Sequence, residues 1–170
     1  MPLTYRTIVR SQFSATLAML EQCINQCPDG HWDDVIAKYP FWHVVYHTLC
    51  FVDCYLSPSN DAFVALVESR AAQPFNPQPL GMAELNEEFP SRRFSRAEMI
   101  QYAAYCRDKM DRVLTSETDA DLNGPSGFDW LKFSRGELHL YNVRHVQHHT
   151  GQLSAALRRA GVETRWVKSA

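Results

Sequence analysis

The sequence lacks the features of several common functional classes. It contains no run of about 18 apolar residues, the length that a membrane-spanning helix needs, and its N-terminal region has no apolar segment typical of a secretory signal. Lysine and arginine number 17 against 19 acidic residues, so the net charge of −2 provides no concentrated basic surface for nucleic acid. We therefore expect a cytoplasmic protein that binds neither membranes nor nucleic acids.

Several catalytic motifs are also missing. The sequence has no Glu-x-x-His, which argues against a ferritin-like di-iron bundle. It has no His-Glu-x-x-His, no Gly-x-x-x-x-Gly-Lys and no Gly-x-Ser-x-Gly, which argues against zincin-type proteases, P-loop proteins and α/β-hydrolases. Any chemistry must therefore come from a different arrangement of side chains.

The chain of 170 residues has the size of one domain, and we expect residues 1–170 to form a single helical domain. Four of the nine prolines lie between Gln73 and Pro90. A second stretch, from Ser116 to Gly127, contains the run Asn-Gly-Pro-Ser-Gly. Both compositions predict loops that separate longer structured segments.

Helical patterns account for most of the remaining sequence. Apolar side chains recur at helical spacing from Ile8 to Ile24, and capping-box sequences begin at Ser95 and Ser134. No segment shows a convincing strand-like alternation. The patterns predict an all-α fold, a four-helix bundle with a long loop or crossover between its second and third long helices. The expected helices span Leu3–Cys27, Pro40–Leu56, Ser95–Thr115 and Ser134–Ala160, with a short helix at Asp61–Ser69.

Five of the seven histidines fall in two short clusters, one of them on the fourth long helix. His145 and His149 lie within about 70° of the centre of its apolar face, at about 100° per residue. Residues four apart lie one above the other, so one helix can offer both imidazoles to a single ion. Asn142 and Gln152 lie one turn to either side and are candidates to orient a ligand by hydrogen bonding. His148 lies on the polar side.

The second helix offers a third imidazole. His47 lies near the edge of its apolar face, and His43 lies about 40° further round and is the second candidate. Three nitrogen ligands with an open fourth position are typical of catalytic rather than structural zinc sites. We expect His43, His139 and His148 at the surface or the rim of the site, and His31 in a loop.

Two other interpretations of these residues stay open. Inward histidines can be hydrogen-bonded core residues without a metal. Alternatively, Cys50 and Cys54 continue the strip that begins with His43 and His47, and thiolates would make a closed, softer metal site. Against a thiolate site, the chain has no Cys-x-x-Cys pair, and its five cysteines suit reduced thiols that fill a core.

Two motifs resemble the DinB/YfiT-like family. The segment FWHVVYHTL from Phe41 to Leu49, followed by Asp53, resembles the second helix of that family. The segment ELHLYNVRHVQHHTGQL from Glu137 to Leu153 resembles its metal-binding helix. The two motifs occur in the family's order and separation, so the resemblance covers nearly the whole chain.

The resemblance implies a four-helix bundle that holds a divalent metal through His47, His145 and His149, the residues that helical geometry also selects. The adjacent His148 and the nearby His43 are the alternative ligands. The resemblance further implies a homodimer that acts on a small molecule, as a hydrolase or as an S-transferase with a low-molecular-weight thiol as co-substrate. Three imidazoles suit zinc, nickel, iron or copper, and we expect zinc or nickel before iron or manganese. The alternative is a non-catalytic metal- or small-molecule-binding bundle with a stress-related or sensory role.

Overall fold

A computed structural model describes residues 4–36, 38–76, 90 and 92–170 of the chain. Its secondary structure is mainly helical, with one short antiparallel hairpin, as the sequence patterns predict for an all-α bundle. A 3-10 helix at Asp29–His31 precedes the hairpin. The helices are α1 (Tyr5–Gln26), α2 (Phe41–Tyr55), α3 (Asn60–Ser69), α4 (Arg96–Ser116), α5 (Asp119–Asn123) and α6 (Arg135–Arg159), and the strands are β1 (Val35–Ile36) and β2 (Tyr39–Pro40).

Side-chain caps begin helices α4 and α6 close to the expected residues. At α4, Ser95 Oγ accepts a bond from the Glu98 backbone N–H, and the Glu98 carboxylate accepts one from the Ser95 backbone N–H at 2.7 Å. This is the reciprocal capping box that the sequence predicts. At α6, the Ser134 side chain accepts from the backbone N–H of Glu137. Each cap satisfies donors that the first helical turn leaves unpaired.

Four long helices, α1, α2, α4 and α6, enclose the core. Helices α1 and α2 each pack against both α4 and α6, so the core lies where all four helices meet. Its largest fully buried side chains include Phe13, Phe41, Tyr46, Leu49 and Tyr102. None of the described helices is both long and apolar enough to cross a membrane.

The structure differs from the sequence prediction at three places. The hairpin pairs Val35 with Pro40 and Ile36 with Tyr39, and its two-residue strands are too short to show alternation. Helix α5 forms within the predicted loop from Ser116 to Gly127. On α1, Ile8 is exposed and the adjacent Val9 is buried, so the apolar face begins one residue later than predicted. The predicted crossover loop falls largely on residues 77–89, which lie outside the described residues.

A buried ionic cluster joins α2 to α3 and α4. The Asp53 carboxylate accepts bonds from Lys109 Nζ at 2.7 Å, from Arg70 at 2.6 Å and from the Tyr102 hydroxyl at 2.9 Å. Lys109 also donates to the hydroxyl of Ser57, just beyond the end of α2. Because an unpaired buried charge is costly, these contacts hold α2 in one position within the bundle.

A second buried cluster, which we call the Glu117 cluster, consists of Glu117, Arg135 and His139. The Glu117 carboxylate accepts from Arg135 Nε at 2.7 Å and from His139 Nε2 at 2.6 Å. Arg135 also donates to the backbone carbonyls of Tyr55 and Ser57, at the end of α2. A cation at this position satisfies carbonyls that the helix leaves unpaired. The start of α6 is thereby fixed to the end of α2, and these two helices carry the clustered histidines.

Candidate metal centre

Three imidazoles meet between α2 and α6, and we call them the histidine cluster. His47 lies on α2, and His145 and His149 lie one turn apart on α6. One ring nitrogen from each histidine lies within 4.8 Å of those of the other two. Nε2 of His145 and Nε2 of His47 are 3.1 Å apart. The structure thus brings together the three histidines that the sequence selects as metal ligands.

The cluster lies at the border of the core. His149 is 8% exposed, and His47 and His145 are half-buried. Burial, followed by repulsion from the other imidazoles, lowers the pKa of His47 to about 2 and that of His145 to about 3. Burial also lowers the pKa of His149, although its bond to Gln152 opposes the shift. All three imidazoles are therefore neutral at pH 7, the form that binds a metal ion.

Gln152 orients His149. Nδ1 of His149 lies 2.9 Å from Oε1 of Gln152, and Nε2 of Gln152 lies 3.2 Å from Nε2 of the exposed His148. An amide oxygen only accepts, so Nδ1 of His149 carries the proton and its Nε2 keeps a lone pair. Hydrogen bonds of this kind fix the tautomer of metal-binding histidines.

Asn142 and His43 are the other two residues predicted to support the metal site, and their observed contacts differ from those of Gln152. The buried Asn142 donates to the backbone carbonyl of Val52 at 3.4 Å, so its observed contact joins α6 to α2. His43 is 5% exposed, its ring stacks on Trp42 and its edge contacts Tyr39. The surface prediction for His43 is wrong because β2 and the start of α2 cover it. His43 does not join the histidine cluster.

The remaining three histidines lie outside the histidine cluster. The prediction of a surface or rim position for His139 is wrong: the ring is fully buried, with its Nε2 2.6 Å from the Glu117 carboxylate. His148 is exposed, as predicted. His31, predicted in a loop, is the last residue of the short 3-10 helix between α1 and β1.

Aromatic rings that the sequence patterns did not indicate border the histidine cluster. The ring of Phe51 lies 4.7 Å from that of His47 and 5.5 Å from that of His145, between centroids. Tyr55 lies 6.4 Å from His145. Tyr141 is four residues before His145 on α6, and its ring lies 5.6 Å from that of Tyr55. The helical spacing of these aromatics relative to the histidines is the signal that could have revealed them.

The cysteines do not contribute to the cluster. All five are free and buried, and burial raises the pKa of Cys27 to about 11 and that of Cys54 to about 12. Among the residues that the structure describes, His47, His145 and His149 form the one group of His, Cys, Asp or Glu that could hold an ion. The thiolate alternative therefore has no support from the geometry.

The donor set fits a divalent metal ion. Three neutral imidazoles present nitrogen atoms close together, and Gln152 leaves Nε2 of His149 free to bind. In the described part of the chain no carboxylate or thiol joins them, so the group offers three nitrogen donors. Such a set leaves a coordination position for water or substrate.

The fold and these residues define the class: a helical bundle with a candidate three-histidine metal centre between two facing helices. The model of the DinB superfamily matches residues 12–153, a segment that contains all three histidines. The chain belongs to the DinB superfamily. Comparison with curated proteins finds no match, and comparison with solved structures finds none either.

Proposed function

We propose that this protein is a metal-dependent enzyme of the cytoplasm that activates a water or a thiol at the histidine cluster. The observation that carries the proposal is the approach of three ring nitrogens, from His47, His145 and His149, within 4.8 Å of one another. No carboxylate or thiol within the described ranges completes the set. This donor arrangement is typical of catalytic rather than structural metal sites.

A bound divalent ion would lower the pKa of a water or a substrate thiol and so supply a nucleophile at neutral pH. The protein's part is to hold the imidazoles neutral and in position. Burial keeps His47 and His145 uncharged, and Gln152 fixes the tautomer of His149. Zinc or nickel suits three imidazoles best, and iron or manganese is the next choice.

The proposed reaction is hydrolysis, or S-transfer from a low-molecular-weight thiol to a small electrophilic molecule. Membership of the DinB superfamily supports both reactions, because the resemblance to this family implies either a hydrolase or a thiol S-transferase. Both reactions need the same first step, a deprotonated nucleophile at the metal. We further propose that the protein acts as a homodimer on a small-molecule substrate.

The metal content of purified protein tests the site. We expect close to one divalent ion per chain in the wild type, measured by elemental mass spectrometry after dialysis. His145→Ala and His149→Ala each leave two imidazoles and should lose most of the ion. Helical content by circular dichroism should be retained in both variants, because apolar burial rather than the ion forms the core.

Two histidine variants serve as matched controls. His31→Ala removes an imidazole outside the cluster and should keep the wild-type metal content. His148→Ala should also keep the ion, which resolves the choice between adjacent histidines in favour of His149. Full metal retention in both His145→Ala and His149→Ala would contradict the assignment of the metal site.

The second candidate is a non-catalytic metal- or small-molecule-binding bundle with a stress-related or sensory role. The observation that favours it is the lack, among the described residues, of a carboxylate in the histidine cluster to act as a general base. A panel of low-molecular-weight thiols with ester and electrophilic substrates separates the two functions. Sustained turnover that chelators abolish supports the enzyme, and metal-loaded protein without turnover supports the binding protein.

A further inference from the structure

A continuous series of aromatic rings leads from the histidine cluster to the protein surface. Phe51 contacts His47 and His145, as described above. Tyr55 lies 5.3 Å from Phe51 and 5.4 Å from Phe128, and Phe128 lies 5.4 Å from Trp130, all between ring centroids. We call Phe51, Tyr55, Phe128, Trp130 and Tyr141 the aromatic wall.

The wall has a buried layer and an accessible layer. Tyr55 is 4% and Phe128 is 3% exposed, so these two rings belong to the core. Phe51 and Tyr141 are half-buried, and Trp130 is 47% exposed. A ring whose only role is to fill the core has no need of an accessible face, whereas exposed aromatic surface beside a site often contacts a ligand.

Ring packing holds the wall in place. The ring of Tyr55 lies 5.6 Å from that of Tyr141 and 5.4 Å from that of Phe128, between centroids. Tyr55 therefore joins α2, α6 and the loop that carries Phe128 and Trp130. Rings fixed in this way lose little conformational freedom when a ligand packs against them.

The position of the wall limits the chemistry of its ligand. Phe51 is the ring of the wall that contacts the histidine cluster, and the half-buried Tyr141 lies one helical turn before His145 on α6. A molecule held at the cluster would therefore have these two accessible rings beside it. These residues offer ring faces and edges, which pack best against planar apolar groups. An aliphatic or strongly hydrated group would gain less binding free energy from contact with the same rings.

We propose that the aromatic wall is the substrate-binding surface of the histidine cluster and selects molecules with an aromatic or other flat apolar group. This proposal rests on the proposed metal-dependent function. It adds the class of substrate, which neither the histidines nor the family membership specifies.

Two metal-binding probes test the proposal on the full-length, metal-loaded protein. Acetohydroxamate and benzohydroxamate share the same metal-binding head group and differ in a methyl or a phenyl substituent. Isothermal titration calorimetry gives the Kd of each. We expect benzohydroxamate to bind the wild type about tenfold more tightly, since ring contacts and apolar burial add to the common metal contact.

Substitutions in the wall should weaken the binding of benzohydroxamate more than that of acetohydroxamate and so reduce that preference. Phe51→Leu keeps apolar volume but removes the flat ring, and Trp130→Ala removes the exposed ring. We expect each to weaken benzohydroxamate binding about fivefold. Tyr141→Phe keeps its ring and should preserve the preference. Trp166→Ala removes a 70% exposed indole on the C-terminal segment and is the matched control.

The metal content of every variant is measured before titration. A wild type that binds metal and both probes with equal affinity overturns the proposal and leaves the metal-dependent function intact. The same holds if neither probe binds the metal-loaded protein, or if Phe51→Leu and Trp130→Ala behave like Trp166→Ala. A wild type that binds no metal overturns the proposed function, and the proposal that rests on it fails as well.

Discussion

Helix α6 carries histidines in two settings of different electrostatic character. In the Glu117 cluster, His139 faces a carboxylate that is also paired with Arg135. In the histidine cluster, His145 and His149 face each other and His47. The first setting balances its charges within the protein. The second contains only neutral bases, and one ring nitrogen of each lies within 4.8 Å of those of the other two.

The comparison shows that burial alone does not define a functional histidine. His139 is more buried than His149, yet its Nε2 is committed to a carboxylate 2.6 Å away. His149 uses Nδ1 for Gln152 and keeps Nε2 available. The distinguishing feature is therefore the partner of each ring nitrogen: a carboxylate stabilises the fold, whereas other imidazoles leave a site for a cation.

Removing the carboxylate should have the largest effect on stability. Glu117→Ala leaves Arg135 and His139 buried without their anion, which we expect to lower the free energy of unfolding by about 3 kcal/mol. Urea denaturation followed by circular dichroism measures the loss. Asp111→Ala, which breaks the more exposed pair with Arg10, is the control and should cost much less. Equal losses in the two variants would contradict the structural role of the Glu117 cluster.

Removing the metal should have the next largest effect. An ion present at about a hundred times its Kd stabilises the folded state by about 2.7 kcal/mol, and a chelator should abolish that stabilisation. The measurement is thermal unfolding with and without chelator. His149→Ala should respond little to the chelator, because it no longer holds the ion. An unchanged wild-type Tm would instead favour a plain structural bundle whose polar core needs no metal.

A smaller effect is expected at Gln152, which touches the histidine cluster through His149. Gln152→Met removes the acceptor that fixes the tautomer and should weaken metal affinity about tenfold. Competition with a metallochromic chelator measures this affinity. Gln101→Met, at an exposed position of α4, is the matched control. If both variants bind metal like the wild type, then Gln152 does not orient His149.

The pH dependence of stability should show the smallest effect and should separate the two clusters further. Burial favours the neutral form of Glu117, but bonds from His139 and Arg135 outweigh it and lower the pKa of Glu117 in the folded state. A carboxyl group with a lowered folded-state pKa stabilises the protein above its unfolded-state value, and this contribution is lost as the pH falls through the folded value. Denaturant titrations between about pH 5 and pH 3 should therefore show a steeper loss in the wild type than in Glu117→Ala.

Helical periodicity was sufficient to predict which side chains approach one another on facing helices. The i, i+4 spacing of His145 and His149 and the inward position of His47 follow from the sequence, because these residues lie on long helices with clear apolar faces. The capping box at Ser95 is likewise local, since its partners are three residues apart. Local geometry therefore accounts for the helices and for the composition of the histidine cluster.

The errors arise where a distant segment decides the environment. His139 is predicted at the surface or the rim, but Glu117 from the end of α4 packs over it. His43 is covered by Tyr39 of a hairpin too short to predict. The aromatic wall likewise combines α2, α6 and the loop before α6, and no single segment contains its pattern.

The five buried thiols have a practical consequence for studying this protein. Burial raises the pKa of Cys50 and Cys106 well above the usual value, so the unreactive thiol form predominates in the folded state. Opening of the bundle would expose these thiols and restore ordinary reactivity. The rate at which a thiol reagent labels the native protein therefore measures how often the core opens. The native cysteines allow this measurement without an introduced probe.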